Sequence, residues 1–385
     1  MKFEKLKNIV EVKKGKKPSF VDTPDENSVR VLQIDDLRND TNPKFTNDKT
    51  GVFAKEDDVL IAWDGANAGT IGYGKSGYIG STIALLRKKQ PDLYSTTFIG
   101  IFLQSQYQYL RSKTTGATIP HIRRKALDDL EVPVISVNDQ LHIANILSKA
   151  ENLIAQRKES IRLLDEFLKS TFLEMFGECT KNEKNWEKVE LKYFGEIITG
   201  NTPPRNNAEN YSSNFIEWIK TDNIPVDDTY ITNAVEHLSE TGLKYARTVE
   251  SGALLVACIA GSIQSVGRAA LTNRKMSFNQ QINAIQRNNE INPLYLYWLF
   301  KISRKYIQDA ASNGMKKILT KGGFEKIKMI KPPLSLQTQY AQIVEKTEAF
   351  KSQYQQSLQE LENLYGSLSQ KAFRGELTFN KAVSV

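Results

Sequence analysis

A long run without glycine or proline dominates the middle of the chain. It covers residues 140–176 and ends at Gly177. Apolar side chains recur in it at alternating steps of four and three, the spacing of a coiled-coil seam, with two polar members among them: Ile143, Leu147, Ala150, Ile154, Arg157, Ile161, Leu164, Leu168, Thr171 and Met175. A helix of about 38 residues spans roughly 55 Å at 1.5 Å per residue. Because such a stripe has to be covered, this helix needs a partner.

A second stretch near the C-terminus has the same alternation. Its seam positions are Tyr340, Val344, Thr347, Lys351, Tyr354, Leu358, Leu361, Tyr365, Leu368 and Ala372. The two stretches also end in similar words, FLEMFGE at 172–178 and KAFRGEL at 371–377. The alternative is a pair of ordinary core helices, but a helix packed into a compact core rarely sustains a heptad this long. We therefore predict two long helices that pair with each other.

Length and composition are those of an ordinary soluble protein. With 385 residues and 40% hydrophobic content, the chain can bury the cores of two or three domains. The sequence has neither the apolar core of a signal peptide nor a run long enough to span a membrane, so a cytoplasmic protein is expected. Cys179 and Cys258 lack metal-ligand spacing around them, so neither a disulfide framework nor a zinc site is expected.

The formal net charge of +8 is carried outside the two long helices. Residues 140–177 and 337–385 each contain 5 basic and 5 acidic residues, whereas residues 1–139 contain 21 against 18 and residues 178–336 contain 21 against 16. Basic segments beside neutral helices suggest a polyanion as partner of the former and protein as partner of the latter. A basic surface that is merely solvated is the alternative.

Residues 1–139 and 180–336 read as two diverged copies of one unit, each followed by a long helix. Several short stretches match in the same order: 5–15 with 189–200, 31–36 with 216–222, 58–72 with 253–267, Gly116 with Gly314, and 131–136 with 330–335. This order predicts an internal duplication of the whole unit and its helix.

Each copy is predicted to be mostly β. Its apolar runs are short, β-branched and separated by Gly, Asn and Asp. Residues 94–113 and 293–311 instead look like amphipathic helices, and residues 179–185 look like a polar linker between the copies. The predicted fold class is α+β, with two mostly-β domains that carry a few helices and are separated by the two long helices.

The sharpest enzyme-like string is GTIGYGKS at residues 69–76, which satisfies the phosphate-loop pattern. A phosphate loop requires a helix after its Lys-Ser, because the helix N-terminus holds the phosphates. The residues that follow, 77–86, contain two glycines and several β-branched residues and favour a strand. The second copy has GRAA at 267–270 in this place. We therefore predict a hairpin turn here.

No catalytic residue and no metal site is predicted. The word NTPP at 201–204 is only superficially that of an amino-methyltransferase, because Thr202 separates the amide from the prolines and Arg205 replaces the aromatic residue. The histidines lie in unrelated segments and form no triad or metal set: His121, His142 and His237. The numerous carboxylates of the first copy are interpreted mainly as turn formers: Asp35, Asp36, Asp57, Asp58 and Asp64.

What recurs in both copies is chemistry suited to a DNA duplex. Basic loop residues would neutralise phosphates without reading sequence: Lys16, Lys17, Arg123, Arg124, Lys316, Lys317 and Lys321. Polar side chains near them are suited to base edges: Asn67, Ser81, Thr82, Thr118 and His121 in the first copy, and Asn201, Gln264, Ser265, Asn279, Gln280, Gln281 and Asn283 in the second. Any one of these alone is more often a turn or surface residue.

Together these features resemble the specificity subunits of type I restriction-modification systems. The resemblance covers essentially the whole chain. It rests on GNTPP at 200–204, LLDE at 163–166, the prolines before each helix and the two similar helix endings. The first copy departs from the family word at residues 15–18, GKKP, which lacks the threonine and leaves the local turn in doubt.

The resemblance implies a role for each part. Residues 1–139 and 180–336 would be target-recognition domains, residues 140–179 and 337–377 would pair as an antiparallel coiled coil, and residues 378–385 would be a tail. Each domain would read one half of a bipartite, asymmetric site in double-stranded DNA. The coil would set the spacing and dock two methyltransferase (modification) subunits.

The resemblance also implies that chemistry belongs to the partners. Motor-nuclease (restriction) subunits would complete a type I DNA methyltransferase and endonuclease in the prokaryotic cytoplasm. The chain itself would hold no cofactor, because S-adenosylmethionine, ATP and magnesium would belong to the partner subunits.

Two other functions stay open on the sequence alone. One is NTP hydrolysis at residues 69–76, which loss of nucleotide binding on Lys75→Ala would support. The other is a non-catalytic coiled-coil scaffold that binds RNA or protein. Salt-dependent, sequence-selective binding to duplex DNA would count against the scaffold.

Removing one turn, about four residues, from each long helix tests the spacer role. We expect a shorter preferred gap between the two half-sites, with both half-site sequences unchanged. Methylome sequencing of cells that carry the variant and its neighbouring methyltransferase measures both quantities. An unchanged gap would contradict the spacer role.

Overall fold

The computed structural model describes residues 2–39, 41–116, 118–259, 262–311 and 318–377. The chain divides into two compact units. Unit 1 consists of residues 1–158 and 356–385, and unit 2 of residues 159–355. Each unit therefore contains one recognition copy and a part of both long helices.

The first copy contains ten strands and four short helices within its described residues. The strands are β1 Lys2–Lys5, β2 Val10–Lys14, β3 Val29–Leu32, β4 Lys44–Thr46, β5 Phe53–Ala54, β6 Val59–Ala62, β7 Ile71–Tyr73, β8 Gly77–Ile79, β9 Ile83–Lys88 and β10 Glu131–Val134. The helices are α1 Leu6–Ile9, α2 Thr96–Ser105, α3 Tyr107–Ser112 and α4 Arg124–Asp128. The first long helix, α5 Val137–Phe176, follows.

The second copy repeats the order of the strands but not the places of all the short helices. Its strands are β11 Lys188–Glu190, β12 Gly195–Thr199, β13 Ile216–Ile219, β14 His237–Leu238, β15 Thr248–Val249, β16 Leu254–Ala257, β17 Ala269–Leu271, β18 Met276–Phe278, β19 Ile282–Arg287 and β20 Lys328–Ile330. Its helices are α6 Glu240–Leu243, α7 Pro293–Ile302, α8 Arg304–Asp309 and α9 Lys321–Glu325, followed by the second long helix, α10 Leu334–Phe373.

The strand pairing confirms the duplication. In unit 1 the sheets have the orders β2-β9-β6-β7, β4-β3-β8-β5 and β1-β10. In unit 2 they have the orders β12-β19-β16-β17, β14-β13-β18-β15 and β11-β20. Each strand of unit 2 thus corresponds to the strand numbered ten lower. The parallel strand pair is repeated as well, between β3 and β8 and between β13 and β18.

In the smallest sheet of each unit, one cross-strand position places a Lys opposite a Glu, and the two residue types are exchanged between the units. In unit 1, Lys5 of β1 lies opposite Glu131 of β10. In unit 2, Glu190 of β11 lies opposite Lys328 of β20. The positions correspond, and the two charges are exchanged.

A buried glutamine at the start of each long helix is another repeated feature. Gln140 accepts a hydrogen bond from the Ser95 amide at 2.8 Å and donates to two backbone carbonyls, those of Leu93 and Ile135. Gln337 makes the same three bonds in unit 2, to Asn292, Glu290 and Pro332. Each side chain satisfies partly buried backbone groups, and it ties its helix to the loop before α2 or α7.

The long helices begin three residues earlier than the sequence pattern predicts and contain 40 residues each. All of the predicted seam residues are buried or half-buried, which confirms the heptad assignment. In unit 1 the helices run antiparallel, with Glu151 bonded to Tyr365 and Lys158 paired with Glu362.

In unit 2 the two helices are again antiparallel. The Tyr340 hydroxyl donates to the Leu168 carbonyl at 3.1 Å, and Lys351 pairs with Asp165 at 2.7 Å. Lys351 is a polar member of the predicted seam, and its side chain is only 13% exposed. The ion pair explains how a charged residue is accommodated there.

Each long helix takes part in two hydrophobic cores. The first part of α5 packs into unit 1 through Ile143 and Leu147, and its last part packs into unit 2 through Leu168, Phe172 and Phe176. Helix α10 does the reverse, with its start in the core of unit 2 and its end in that of unit 1: Tyr340 and Val344, then Ala372 and Phe373. The aromatic endings therefore serve a structural purpose, which the similar words FLEMFG and KAFRG indicated.

The two predicted amphipathic helices exist but are neither continuous nor amphipathic. Each breaks after ten residues, between α2 and α3 and between α7 and α8. Residues 98–103 and 294–300 are buried on every face. The reason is that α2 and α7 lie between a sheet and the long helices, so their apolar residues have no solvent side. Phe373 packs on Phe98 and Phe102 of α2, and Phe176 packs on Tyr295 of α7.

The predicted linker at 179–185 is wrong in its first residue. Cys179 is 3% exposed and belongs to the core of unit 2, where its sulfur lies 3.4 Å from that of Met329. Asn182 and Asn185 adopt left-handed backbone conformations, and the Asn182 side chain bonds the backbone of Trp186. The segment is a fixed turn against the core.

Residues 69–76 form no phosphate loop. Strand β8 follows Lys75 and Ser76 directly, as predicted, so there is no helix N-terminus to hold a phosphate. The predicted hairpin is wrong, because β7 pairs with β6 whereas β8 pairs with β3 and β5. The turn passes the chain from one sheet to the other.

The sequence alignment of 58–72 with 253–267 is wrong at its end. The Gly69 amide donates to the Ala62 carbonyl and the Gly267 amide to the Ala257 carbonyl, both at 2.8 Å, and both glycines have positive φ. Gly267 therefore corresponds to Gly69 and not to Gly72, because the second copy has three more residues between these strands.

A glycine after β2 and another after β12 are required by close backbone packing. A Cβ atom on Gly15 would lie 2.3 Å from the Gly80 carbonyl oxygen, and one on Gly200 would lie 2.2 Å from that of Asn279. Their amides bond the carbonyls of Ile83 and Ile282, so neither segment can move away freely. The predicted match of Gly15 with Gly200 is confirmed.

Alanine at Gly15 or at Gly200 should lower the free energy of unfolding by about 1–3 kcal/mol, because the added methyl group overlaps backbone atoms. Gly322→Ala is the matched control: no atom lies within 4 Å of its Cβ position. It lies inside α9, where alanine should be neutral or slightly stabilising. Urea denaturation measures all three. Equal stability of the three variants would contradict the packing argument.

Candidate nucleic-acid interface

Several loops of unit 1 meet at one end of the sheet β2-β9-β6-β7. Lys14 at the end of β2 pairs with Ala84 near the start of β9, and Ala62 at the end of β6 pairs with Ile83. The loops after β2, after β6 and before β9 therefore converge. We call this end the loop edge of unit 1.

Backbone hydrogen bonds fix the predicted residues Ser81 and Thr82 at this edge. The Thr82 carbonyl accepts from the amides of Trp63 and Asp64, at 2.7 and 3.4 Å. The side chains of Ser81 and Thr82 are exposed. Both predicted residues can thus be reached by a ligand from outside.

Asn67 lies in the neighbouring loop between β6 and β7. Its carbonyl accepts from the amide and the hydroxyl of Thr70, at 3.1 and 2.9 Å, and its side-chain oxygen accepts from Arg38. Arg111 donates to the adjacent Ala66 carbonyl at 2.8 Å. Two arginines thus hold the loop that carries Asn67.

The loop before α4 brings Thr118 and His121 to the same edge. The Gly65 amide donates to the Pro120 carbonyl at 2.9 Å, and His121 and Thr115 exchange both of their backbone hydrogen bonds. Thr118 and His121 are exposed. The loop edge therefore brings together the five predicted residues of the first copy, which extend from Asn67 to His121 in the sequence.

An ion-pair network runs through this edge. Asp64 Oδ1 lies 2.6 Å from His121 Nδ1, and Asp64 Oδ2 lies 2.7 Å from Lys14 Nζ. Burial acts to raise the pKa of Asp64, but the hydrogen bonds from His121 and Lys14 outweigh it and lower that pKa below its usual value. Asp64 is thus more than a turn former, because it connects Lys14 to His121.

The predicted basic residues of the first copy are exposed but differ in their contacts. Lys16 and Lys17 follow β2 at the loop edge. Arg123 precedes α4, and Arg124 is bound within that helix to Asp128 at 2.8 Å. Arg124 is consequently engaged by its own helix, whereas Lys16, Lys17 and Arg123 lie on the surface.

Unit 2 has a loop edge built in the same way. The Gln281 carbonyl accepts from the amides of Cys258 and Ile259, at 2.9 and 3.1 Å, and the Leu319 amide donates to the Cys258 carbonyl. The Asn201 amide donates to the Phe278 carbonyl at 3.0 Å. The predicted residues of the second copy that lie at or near this edge are Asn201, Gln264, Ser265, Asn279, Gln280, Gln281 and Asn283, of which Asn283 is buried.

Some of these side chains are occupied within the protein. Asn279 is 5% exposed and bonds the amide and side chain of Gln281. Asn201 bonds the backbone of Tyr245 and Arg247. Both asparagines shape their loops, and their contact with DNA stays a prediction.

The remaining predicted residues of unit 2 are more accessible. Gln264 and Gln280 are exposed, although the Gln280 side chain also contacts Thr202. Ser265 lies 3.2 Å from Ser262, hydroxyl to hydroxyl. Lys321 is the first residue of α9 and pairs with Glu325 at 3.6 Å. Lys316 and Lys317, like Gly314, lie outside the described residues.

Arg205 is a basic residue of unit 2 that the sequence prediction omitted. Its guanidinium centre lies 4.4 Å from the ring centre of Tyr211 and 4.7 Å from that of Trp218. It also donates to Glu236 at 2.6 Å, and its side chain remains 52% exposed. Stacking on two rings holds a planar cation for bidentate recognition.

Glu236 completes the cluster around Arg205. Hydrogen bonds from Lys220 and from Arg205 lower the pKa of Glu236. The Trp218 indole N–H donates to the Asn201 carbonyl at 3.1 Å, which connects the cluster to the loop edge. In the sequence, only the position of Arg205 directly after NTPP could have identified it as a site residue. Its contacts with Tyr211 and Trp218 form only in the folded chain.

The two loop edges share strand pairing and equivalent backbone hydrogen bonds but carry different side chains. By strand register and backbone bonding, Lys14, Asp64 and His121 of unit 1 correspond to Thr199, Ile259 and Ile318 of unit 2. Thr199 bonds Asn283 at 2.7 Å in place of the ion pair. The edges therefore present different chemistry on one scaffold.

The described residues contain no group of three or more His, Cys, Asp or Glu side chains arranged to hold a metal ion. Among the described helices, none combines the length and the hydropathy of a membrane span.

Comparison with known protein families agrees with this geometry. The type I restriction modification DNA specificity domain matches residues 1–163 and 183–363, which include both loop edges. The chain belongs to this family. Both of its copies are therefore specificity domains.

Curated relatives of this specificity family member include two type I restriction enzyme subunits. The MjaVIII specificity subunit of Methanocaldococcus jannaschii is 30% identical over 227 residues, 55% of this chain and 52% of the relative. The HindI specificity subunit of Haemophilus influenzae is 31% identical over 173 residues, 43% of this chain and 36% of the relative. The matches thus span about half or less of these relatives.

A solved structure extends the similarity to the whole fold. The crystal structure of a type I restriction-modification S subunit from M. genitalium has a TM-score of 0.59 with this chain and 17% sequence identity. The match covers 97% of this chain and 96% of that one. This likeness concerns the fold, in agreement with the predicted α+β class.

Proposed function

We propose that the chain is the DNA sequence-recognition subunit of a type I restriction-modification complex, with each loop edge reading one half of a bipartite, asymmetric site. The observation that carries this proposal is the pair of loop edges, which share one backbone arrangement but differ in their polar side chains. A duplicated scaffold with different side chains is suited to two different half-sites. Exposed lysines, glutamines and hydroxyls at the edges are groups that contact phosphates and base edges.

Charge supports DNA as the ligand of these edges. The excess of Lys and Arg lies in the two copies, outside the neutral long helices. Phosphate contacts from such residues provide affinity and strong salt dependence. Sequence selectivity would then come from residues such as Gln264, Gln280 and His121, which present hydrogen-bonding groups to a base edge.

The chain would act without a cofactor or an active site of its own. Catalysis would belong to two methyltransferase subunits, which bring S-adenosylmethionine, and to motor-nuclease subunits, which bring ATP and magnesium. The strand that follows Lys75 counts against nucleotide binding by this chain. NTP hydrolysis at residues 69–76 is therefore not retained as a function.

Exposed apolar side chains on the long helices support protein partners. In unit 1 they include Leu141, Leu153 and Leu364, and in unit 2 they include Leu163, Phe167 and Phe350, each about half exposed. Large apolar groups on the outside of a helix pair are suited to a protein interface. We propose that methyltransferase subunits dock there.

Methylome sequencing of cells that express the chain with its neighbouring methyltransferase tests the DNA function. A split methylated motif is expected. Arg205→Ala should weaken methylation by roughly 5- to 100-fold, the range of one lost specific contact, if Arg205 reads a base of the half-site of unit 2. In that case the other half-site stays as selective as before. If Arg205 contacts a phosphate, all sequences weaken alike and the salt dependence falls.

Arg162→Ala is the control for Arg205→Ala. Arg162 is half exposed on α5 and pairs with Glu159 and Glu166. The substitution therefore removes the same type of side chain from a surface that should not touch DNA. It should leave the motif unchanged. The absence of any split motif, with a demonstrably active methyltransferase, would refute the proposed function.

The docking proposal predicts that Phe350→Asp weakens assembly with the methyltransferase by roughly 30-fold, the effect of removing one interface hot spot. Gln353→Asp adds the same charge at an exposed position of the same helix and should have little effect. Titration of labelled methyltransferase against each variant measures the difference. Equal affinities would show that this face of α10 is not the docking site.

A further inference from the structure

The backbone of His121 is fixed by hydrogen bonds to neighbouring segments. Its backbone forms both hydrogen bonds with Thr115, at 2.8 and 3.0 Å, and it also bridges to Asp64. The neighbouring Ile122 amide bonds the Trp63 carbonyl at 2.9 Å. An exposed loop residue would ordinarily be free to move, so this arrangement fixes the imidazole at the loop edge.

The contact with Asp64 determines which ring nitrogen carries the proton. Asp64 Oδ1 lies 2.6 Å from Nδ1 of the ring, and Lys14 Nζ lies 2.7 Å from Oδ2. A carboxylate only accepts hydrogen bonds, so Nδ1 must be the donor. In the neutral ring the proton is then on Nδ1, and Nε2 has a free lone pair.

The Lys14 ammonium strengthens this assignment. It occupies the second carboxylate oxygen and, together with His121, favours the ionised form of Asp64. An ionised carboxylate cannot donate to Nδ1, which excludes the opposite tautomer as long as the ion pair is formed. The side chain of Asp64 is only 15% exposed, so water competes poorly for these bonds.

The outer part of the ring is open to a ligand. The His121 side chain is 48% exposed, although Nδ1 is engaged. Ser81 and Thr82 are exposed in the adjoining loop, whose carbonyl bonds the amide of Asp64. The accepting nitrogen is thus part of a surface with other groups suited to base edges.

In the major groove a lone acceptor distinguishes bases by their amino groups. Adenine presents N6–H₂ and cytosine presents N4–H₂, whereas guanine and thymine present only acceptors at the corresponding atoms. We propose that His121 Nε2 reads an amino-bearing base, adenine or cytosine, at one position of the half-site bound by unit 1. Asp64 and Lys14 are positioning residues that keep Nδ1 as the donor, so that Nε2 of the neutral ring is the acceptor. This inference rests on the proposed function.

Unit 2 has no counterpart of this arrangement. The corresponding positions are Thr199, Ile259 and Ile318, and isoleucine side chains can neither hold nor replace an imidazole. The effect of His121 is therefore confined to one half-site. The other half-site serves as an internal reference in every experiment.

Methylome sequencing of cells that carry the chain with its methyltransferase is again the readout. The wild type should require one particular base pair at the contacted position of one half-site. His121→Ala should reduce discrimination at that position by roughly tenfold, the effect of one lost hydrogen bond to a base. His121→Lys presents only donors, so preference should move to G or T.

Asp64→Ala tests the positioning role. It frees the ring to take either tautomer, so it should relax the same position as His121→Ala while all other positions stay unchanged. The double variant should be no more relaxed than His121→Ala alone, because both act through one contact. Asp129→Ala is the control: it breaks the exposed ion pair with Lys5 at 2.9 Å in the same unit and should leave the motif intact.

The outcomes separate this inference from the proposed function. A split motif that His121→Ala leaves unchanged at every position would overturn the inference and leave the function standing. A His121→Lys variant that keeps the wild-type base pair at that position would also overturn it. If Asp64→Ala does not fold, the two His121 variants still decide, because their side chain is half exposed. Failure of the wild type to give any motif would instead refute the proposed function.

Discussion

The structure depends on covering two long apolar stripes. A helix of 40 residues extends over about 60 Å and cannot bury its seam in one small domain. Here each helix inserts one part into the core of one unit and the other part into the core of the second. Leu168, Phe172 and Phe176 are buried with Tyr340 in unit 2, as Ile143 and Leu147 are buried with Ala372 in unit 1. Neither recognition copy has a complete core without residues from both helices.

This sharing explains which features could be predicted from the sequence. The heptad seam, the duplication, the mostly-β copies and the strand after Lys75 all depend on local periodicity or on residue type, and these predictions are confirmed. The buried faces of α2 and α7 and the core position of Cys179 depend on tertiary contacts. Nothing in the local sequence distinguishes a half-exposed apolar helix from one enclosed by a sheet and two long helices.

In the candidate site, too, some features could be predicted from local sequence, whereas others depend on tertiary contacts. The loops that carry Ser81, Asn67 and His121 were identified as polar and basic, but their convergence is a consequence of strand register. Asp64 was read as a turn former because its partners, Lys14 and His121, are 50 and 57 positions away. Arg205 was overlooked because the rings of Tyr211 and Trp218 reach it only in the folded chain. Sequence reasoning found the residue types, and the fold determines which of them act together.

The exchanged charges of the smallest sheets bear on how a duplicated chain finds its correct partners. Strands β1 and β11 are equivalent, as are β10 and β20, so backbone geometry alone permits β1 to pair with β20 and β11 with β10. At the native register such mispairing would place Lys5 opposite Lys328 and Glu190 opposite Glu131. Like charges across a strand pair are destabilising, whereas each native pair joins opposite charges. The exchanged charges thus favour pairing of each strand within its own repeat. They disfavour the exchange of strands between repeats or between chains.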